Sequence, residues 1–349
     1  MPFQNLLPHV TNAMVRMESL TSILINNTVL LQDSMLAHLA SLHSLTDIYV
    51  DGTSGCPSFQ PLLFPHLRNL LITCRDARPA EMLSLFIAPS LEKITVLCTW
   101  DAGDLKGSDE HLTEWLDILS RAPPHLDSNV TWVPPLQQFI AVLGARERQI
   151  LSDYGLQIDA TLGNGPDVLR ALTRFRFLRT IRIEIDSIIS IDNNFVRTLA
   201  EGLPNIEELS LTPPPGVDFQ PRSNLVLPTF DSLVAFSEHC LRLSMLSLPI
   251  RATFASYTFW HTYRTSTAGR ERRLSSLKTL ALWTTPMIGG ANAKTVSIYL
   301  GWIFPALVSL RPYVQAAVGR VFDGEMRRVA RAEWTVVLNE MGLGGEVPP

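Results

Sequence analysis

The stretch PHLRNLLITCRDARPAEMLSLFIAPSLEKITVLC, residues 65–98, contains the pattern that decides the fold, because the same frame occurs in it twice. In this frame an aliphatic residue is followed, after two variable positions, by a second aliphatic residue, and after one more position by a third. The first copy begins at Leu67 and the second at Leu91. A proline stands two residues before each start, and proline ends a preceding helix because it lacks an amide donor.

The frame recurs along the chain, and helical patterns precede most copies. Further copies begin at Leu20, Leu45, Leu178, Ile206, Leu243 and Leu277, with a partial copy at Leu307. Apolar residues at helical spacing predict helices over 32–43 and 109–121, from Pro166 onward, and over 195–203 and 230–241. One helix-and-strand unit cannot cover its own apolar face, whereas stacked units can. The sequence therefore predicts an α/β leucine-rich-repeat solenoid, a ribonuclease-inhibitor-like horseshoe with parallel strands on the concave face and helices on the convex face.

The repeats are irregular in length. Leaving aside the gap after Leu91, spacings range from 22 residues, between Leu45 and Leu67, to 37 residues, between Ile206 and Leu243. Regular leucine-rich repeats have roughly 20 to 29 residues, so several units contain insertions. The register between 97 and 177 stays open. Two poor candidate copies lie there, one starting at Leu126 and one formed by Leu136, Phe139 and Ala141, and a degenerate unit is expected over 123–165.

Three regions follow from this pattern. Residues 1–19 are predicted to be an N-terminal helical segment, a truncated cap or repeat, because their apolar residues resemble the helix of an earlier unit. We expect a polar N-terminal cap to be missing from this chain. The irregular repeats are predicted over 20–310. Residues 311–349 are predicted to form a C-terminal helical cap that covers the open edge of the last repeat.

Composition excludes several classes of protein. Apolar residues make up 46% of the chain and charged residues 18%, which is enough to bury a large core. The net charge of −4 and the lack of a basic stripe argue against nucleic-acid binding.

Pro305 interrupts the longest apolar stretch, 294–311, which is too short to span a bilayer. The four cysteines form no C-x-x-C pair and are expected to be reduced thiols in the cytosol or nucleus, with Cys74 and Cys98 buried after their strands.

Patterns that carry chemistry are missing from the sequence. The eight histidines are scattered, and neither an H-E-x-x-H nor a G-x-S-x-G motif occurs. The glycines near Pro166 lack the lysine of a phosphate-binding loop. The adjacent acids Glu207 and Glu208 would point to opposite faces of a strand. We therefore expect a chain that is not an enzyme, with no catalytic residues, no cofactor and no metal.

Function is expected at the variable positions of the strands, which face outward on the concave side. A rigid face that mixes aromatic, charged and hydroxyl groups is typical of protein interfaces. The alternative interpretation is an ordinary solvated sheet face. The predicted protein-binding residues are Asp47, Tyr49, Asp51, Asn69, Lys93, Arg182, Glu184, Glu208 and Trp283, with Thr73, Thr95 and Ser210 among the other exposed strand positions.

The phrases HSLTDIYV, PHLRNLLI, PSLEKITV, PNIEELSL and SSLKTLAL resemble the leucine-rich repeats of F-box-like proteins of mushroom-forming fungi. The resemblance covers residues 20–310. It implies capture of a target protein for a cullin-type ubiquitin ligase, with an F-box docking to the ligase adaptor. The F-box itself is not recognisable here, so it lies outside this chain or the protein has none. In the second case the protein is a repeat scaffold with no link to ubiquitin.

Overall fold

The computed structural model describes two compact units, residues 1–156 and residues 157–349. Its described residues are 18–25, 33–51, 61–74, 83, 85–100, 116–119, 135–145, 161–162, 165–185, 188–189, 191–212, 226–254, 275–284, 287, 292–314 and 324–343. The candidate copy starting at Leu126 lies outside them, and the predicted helix over 109–121 is described only at 116–119, which are helical.

The first unit is built on a parallel sheet to which each repeat adds one strand. Its elements are β1 (Ser22–Ile25), α1 (Asp33–Ser41), β2 (Asp47–Asp51), β3 (Leu62–Leu63), β4 (Asn69–Cys74), β5 (Phe86–Ile87), β6 (Lys93–Trp100) and β7 (Gln138–Ala145). The sheet has the order β1-β2-β4-β6-β7, so the order in space follows the order in the chain. This arrangement confirms the predicted leucine-rich-repeat architecture of the unit.

The register of the strands places equivalent residues of the frame side by side. The residues at the second aliphatic position form one row, which consists of Ile23, Ile48, Leu70, Ile94 and Phe139. The residues at the third aliphatic position form another row, which consists of Ile25, Val50, Ile72, Val96 and Ala141. Except for the half-buried Ile23, all of these side chains are buried. The copy formed by Leu136, Phe139 and Ala141 was a poor candidate in the sequence, but it is the copy that supplies the next strand of the sheet. Phenylalanine and alanine fill positions where the frame expects aliphatic residues.

In part of the first unit, the segments between the strands of the main sheet are extended, whereas the predicted architecture has helices there. The short strands β3 and β5 pair in parallel, with the Leu62 amide donating to the Leu85 carbonyl at 2.9 Å and the Phe64 amide donating to the Ile87 carbonyl at 2.8 Å. The rings of Phe64 and Phe86 contact each other with centroids 5.2 Å apart. Pro65 and Pro89 stand two positions after the ends of these strands, and the residues before them, Phe64 and Ala88, favour extended conformations over helix.

The second unit has the same plan, with a helix before most strands. Its elements are β8 (Thr161–Leu162), α2 (Gly165–Leu172), β9 (Thr180–Ile185), β10 (Ile188–Ile189), α3 (Asn193–Gly202), β11 (Glu208–Thr212), a 3₁₀ turn (Phe230–Ser232), α4 (Leu233–His239), β12 (Met245–Ile250), β13 (Thr279–Thr284), α5 (Ala293–Ile303), β14 (Ser309–Val314) and α6 (Gly324–Glu340). The sheet runs β9-β11-β12-β13-β14 with parallel pairing, while β8 pairs with β10. The helix predicted over 230–241 is the 3₁₀ turn followed by α4.

One backbone link joins neighbouring repeats throughout both sheets. The carbonyl just before a strand accepts two amides of the next repeat: Thr21 O accepts from Thr46 N at 2.9 Å and from Asp47 N at 3.1 Å. The same double acceptance occurs at the carbonyls of Thr46, Arg68, Glu92, Arg179, Glu207, Ser244 and Lys278. The strands are thus held in register at their first residue, before any side chain is considered.

Side chains add a second link that the sequence interpretation missed. The residue before the first aliphatic position of a copy donates to a carbonyl of the preceding repeat. The donors are Ser44 to Glu18 at 2.7 Å, Ser90 to Pro65 at 2.8 Å, Asn205 to Arg176 at 3.1 Å and Ser276 to Leu241 at 2.6 Å. The signal was present as a serine or asparagine at that one position of the frame.

The last helix, α6, packs against α5 and β14. Its Trp334 is fully buried and meets the Phe230 ring edge-on, with centroids 6.3 Å apart. The Tyr299 hydroxyl donates to the Phe230 carbonyl at 2.6 Å and ties α5 to the same cluster. The helix is thus held against the last repeat by a buried aromatic cluster, and its role as a cap stays a prediction. The strand of the last repeat continues to Val314, beyond the predicted end of the repeats at residue 310.

Candidate protein-binding surface

We call the outward-facing side chains of the strands in one unit its strand face. In β2, Asp47, Tyr49 and Asp51 alternate with the buried Ile48 and Val50 and so belong to this face. In the first unit the register arranges the strand face in three rows. These are Ser22, Asp47, Asn69, Lys93 and Gln138; Leu24, Tyr49, Leu71, Thr95 and Ile140; and Asp51, Thr73 and Leu97.

The first row contains a hydrogen-bonded cluster around Asp47. Its Oδ1 accepts from Asn69 Nδ2 at 2.6 Å and its Oδ2 accepts from Thr46 Oγ1 at 2.6 Å. Lys93 follows in the row and is half-buried. The structure thus places the predicted residues Asp47, Asn69 and Lys93 in one row. Both carboxylate oxygens of Asp47 already accept hydrogen bonds from residues of the chain. Asp47 and Asn69 link two repeats as well as facing outward.

The second row is mostly apolar. Leu24 is 65% exposed, and Tyr49, Leu71 and Ile140 are half-buried. Thr95, expected to be exposed, is buried, because its short side chain lies between the longer Leu71 and Ile140. The face therefore offers a partly exposed apolar row on a sheet whose register is fixed by backbone hydrogen bonds.

Asp51 lies in the third row and differs from Asp47. Its Oδ1 is buried and has no hydrogen-bond partner among the described residues. The residue beside it in register, Thr73, directs its hydroxyl to the Val50 carbonyl at 3.4 Å. A buried acceptor without a donor is rare in folded proteins and calls for a physical explanation.

The strand face of the second unit is less open than predicted. Arg182 Nε and Glu208 Oε1 form an ion pair at 2.6 Å, while the side chain of Glu184 lies outside the described residues. The expected exposure of Trp283 is wrong, since only 8% of it is accessible. The register sets Trp283 beside Tyr313, and their rings stack with centroids 4.6 Å apart. Ser210 is buried as well.

A groove lies along the strand beginnings of the first unit, which the sequence interpretation also missed. Its volume is about 350 Å³, and its lining residues are His43, Thr46, His66, Arg68, Pro89, Ser90, Glu92 and Pro135. The rings of His43 and His66 are 5.3 Å apart, and Arg68 lies 3.7 Å from Glu92. Because that ion pair is largely exposed, it contributes little to stability. In the described part of the chain no cluster of three or more His, Cys, Asp or Glu side chains could hold a metal ion.

Cys240 is a buried thiol between two repeats. Its Sγ donates to the carbonyls of Ala200 at 3.4 Å and Leu203 at 3.6 Å. Burial raises the pKa of this thiol to about 12, because the charged thiolate would lose its hydration. The side chains of Cys74 and Cys98 lie outside the described residues, although their backbones pair in register.

We predict that Cys240 resists alkylation in the folded protein. At pH 8 the thiolate is the reactive form, and a pKa near 12 leaves almost none of it. Mass spectrometry of the peptide containing Cys240 should find no iodoacetamide adduct after a treatment that fully labels the urea-unfolded chain. Equal labelling of folded and unfolded chains would show that the thiol is accessible and the packing between these repeats is wrong.

One strand per repeat, parallel pairing in chain order and an aligned aliphatic frame define a leucine-rich-repeat protein in each unit. Sixteen solved chains match the structure. One is an internalin of Listeria monocytogenes strain 4b F2365, with a TM-score of 0.37, 10% sequence identity, and coverage of 82% of this chain and 71% of that chain. No family model and no curated protein matches the chain. None of the helices in the described residues has both the length and the apolar character needed to cross a membrane.

Proposed function

We propose that the chain is a non-catalytic module that binds another protein on the strand face of the first unit. The observation that supports this is the apolar row of Leu24, Tyr49 and Leu71, which stays partly exposed on a rigid sheet beside polar groups. Apolar and aromatic anchors with a polar surround are the arrangement from which protein interfaces gain most of their affinity.

The resemblance to F-box-like proteins of mushroom-forming fungi supports a narrower proposal. In it the bound protein is a substrate for a cullin-type ubiquitin ligase, the chain acts in the cytosol or nucleus, and the adaptor binds an F-box outside this chain. The alternative is a scaffold without a link to ubiquitin. Recovery of a cullin adaptor together with the full-length gene product separates the two.

We predict that Tyr49→Arg strongly weakens binding of the protein partner. A large charged side chain in the middle of the apolar row would need to be desolvated on binding. In affinity capture from the native cell, quantified by mass spectrometry, the partners should fall by about tenfold or more, as expected for the loss of an interface anchor.

Val336→Arg is the matched control, since Val336 is 45% exposed on α6, a helix that contributes no residue to the strand face. It should recover the same partners as the wild type. Unfolding midpoints should show that both variants are folded. If Tyr49→Arg and Val336→Arg recover the same proteins in the same amounts, the strand face of the first unit is not the binding surface.

A further inference from the structure

One carboxylate oxygen of Asp51, Oδ1, lacks a hydrogen-bond partner among the described residues. That oxygen is buried, while Asp51 as a whole is half-buried, so part of the residue stays accessible on the strand face. Removing a carboxylate oxygen from water without a hydrogen bond is unfavourable, and a nearby positive charge is the strongest compensation. The positive charge would have to come from another residue of the chain or from a bound partner.

The described residues of the first unit do not supply it. Lys93, the cation on the same strand face, lies two strands away and four residues earlier in register, which places its Cα roughly 16 Å from that of Asp51. Thr73, the neighbour in register, uses its hydroxyl on the Val50 carbonyl. Asp47 on the same strand shows the contrast, since each of its oxygens accepts a hydrogen bond at 2.6 Å.

The apolar row lies directly beside this carboxylate. Tyr49 and Asp51 are two residues apart on one face of β2, which separates them by about 6.6 Å. Tyr49 in turn is in register with Leu24 on one side and Leu71 on the other. The face of a half-buried tyrosine ring also attracts a cation. An acidic group and an apolar row at this spacing make a combined site for one cationic and one apolar side chain.

We propose that the protein partner of this face inserts a lysine or arginine side chain at Asp51 and packs an adjacent apolar side chain on Tyr49 and Leu71. This proposal rests on the proposed function and adds the chemistry of the partner. The spacing of the two subsites, about 7 Å, matches positions i and i+2 of an extended segment or i and i+4 of a helix. The cation pairs with the accessible part of the carboxylate and so offsets a charge whose Oδ1 has no donor among the described residues.

A displayed library of random twelve-residue peptides tests this with the full chain as the target. We expect the selected peptides to carry a lysine or arginine two or four residues from an apolar residue. Asp51→Asn should lower the affinity of the protein for these peptides by about tenfold or more, measured by fluorescence polarisation, because it removes one partner of a charge pair. Replacing the basic residue of the peptide by glutamine should have a similar effect.

Glu340→Gln is the control, because it removes one negative charge at an exposed position of α6, a helix that contributes no residue to the proposed site. It should change peptide affinity by less than about twofold. Peptides that depend on Tyr49 but lack a basic residue, or that bind Asp51→Asn as well as the wild type, would overturn this inference and leave the proposed function intact. A library that yields no peptide dependent on Tyr49, Leu71 or Asp51 would count against both.

Discussion

Replacing Phe139 by alanine is expected to lower the free energy of unfolding of the first unit by about 3 to 5 kcal/mol. The ring is 0% exposed and lies beside Ile94 in the register of β6 and β7. Removing it loses the transfer free energy of the ring and leaves a cavity that a close-packed interior cannot refill. Few single changes in this unit should have a larger effect.

Ile140→Ala is the control for Phe139→Ala, since Ile140 is the next residue and lies half-buried on the strand face. It should lower stability by less than about 1 kcal/mol. Urea unfolding gives both values, and hydrogen exchange of the β6 and β7 amides should show that the loss belongs to the first unit, because a chain of two units need not unfold in one step. The opposite ranking of the two variants would mean that β7 is shifted by one residue and that Phe139 faces outward.

Replacing Trp334 by alanine is expected to destabilise the second unit by about 3 to 5 kcal/mol. The indole is fully buried against Phe230, and α6 is the element that covers α5 and β14. Losing this anchor should therefore release the helix that covers the last strand. Limited proteolysis should then cut within 324–340 sooner than in the wild type, and urea unfolding should give the loss of stability.

Trp334→Phe separates packing from hydrogen bonding at the same position. The Trp334 Nε1 group is buried without a partner among the described residues, so removing it loses no hydrogen bond. The smaller ring should destabilise by about 1 to 2 kcal/mol, clearly less than alanine. Val336→Ala, on an exposed position of α6, should change stability by less than about 0.5 kcal/mol. Equal losses for Phe and Ala would indicate that the indole nitrogen has a partner.

The sequence predicted the repeats wherever aliphatic residues fill the frame, because alternation along a strand is a local property. The strands starting near Leu45, Leu67 and Leu91 were found for this reason. The copy at Phe139 was judged poor because the frame was read by residue type, whereas the core requires only that the space is filled by apolar atoms. Extended chain at β3 and β5 was missed although the prolines that follow these strands were recognised.

The candidate site was harder to predict, because its properties depend on neighbours distant in the chain. The burial of Trp283 depends on Tyr313, which lies 30 residues later and becomes adjacent only through strand pairing. The difference between Asp47 and Asp51 is likewise invisible in the sequence. Both are aspartates on the same face of one strand, and only the structure shows that Asp47 has two donors whereas Oδ1 of Asp51 has none among the described residues.

The two amides that share one carbonyl at each described junction within a sheet have a consequence for how such a chain can change in evolution. Main-chain atoms alone form that contact, so apart from excluding proline at the two donating positions it makes no demand on which residues stand there. A whole unit can be duplicated or lost, and the chain after each strand lengthened, while the new neighbours still join in the same way. This tolerance accounts for spacings between strand starts as different as 22 and 45 residues in the sheet of the first unit, from Asp47 to Asn69 and from Lys93 to Gln138.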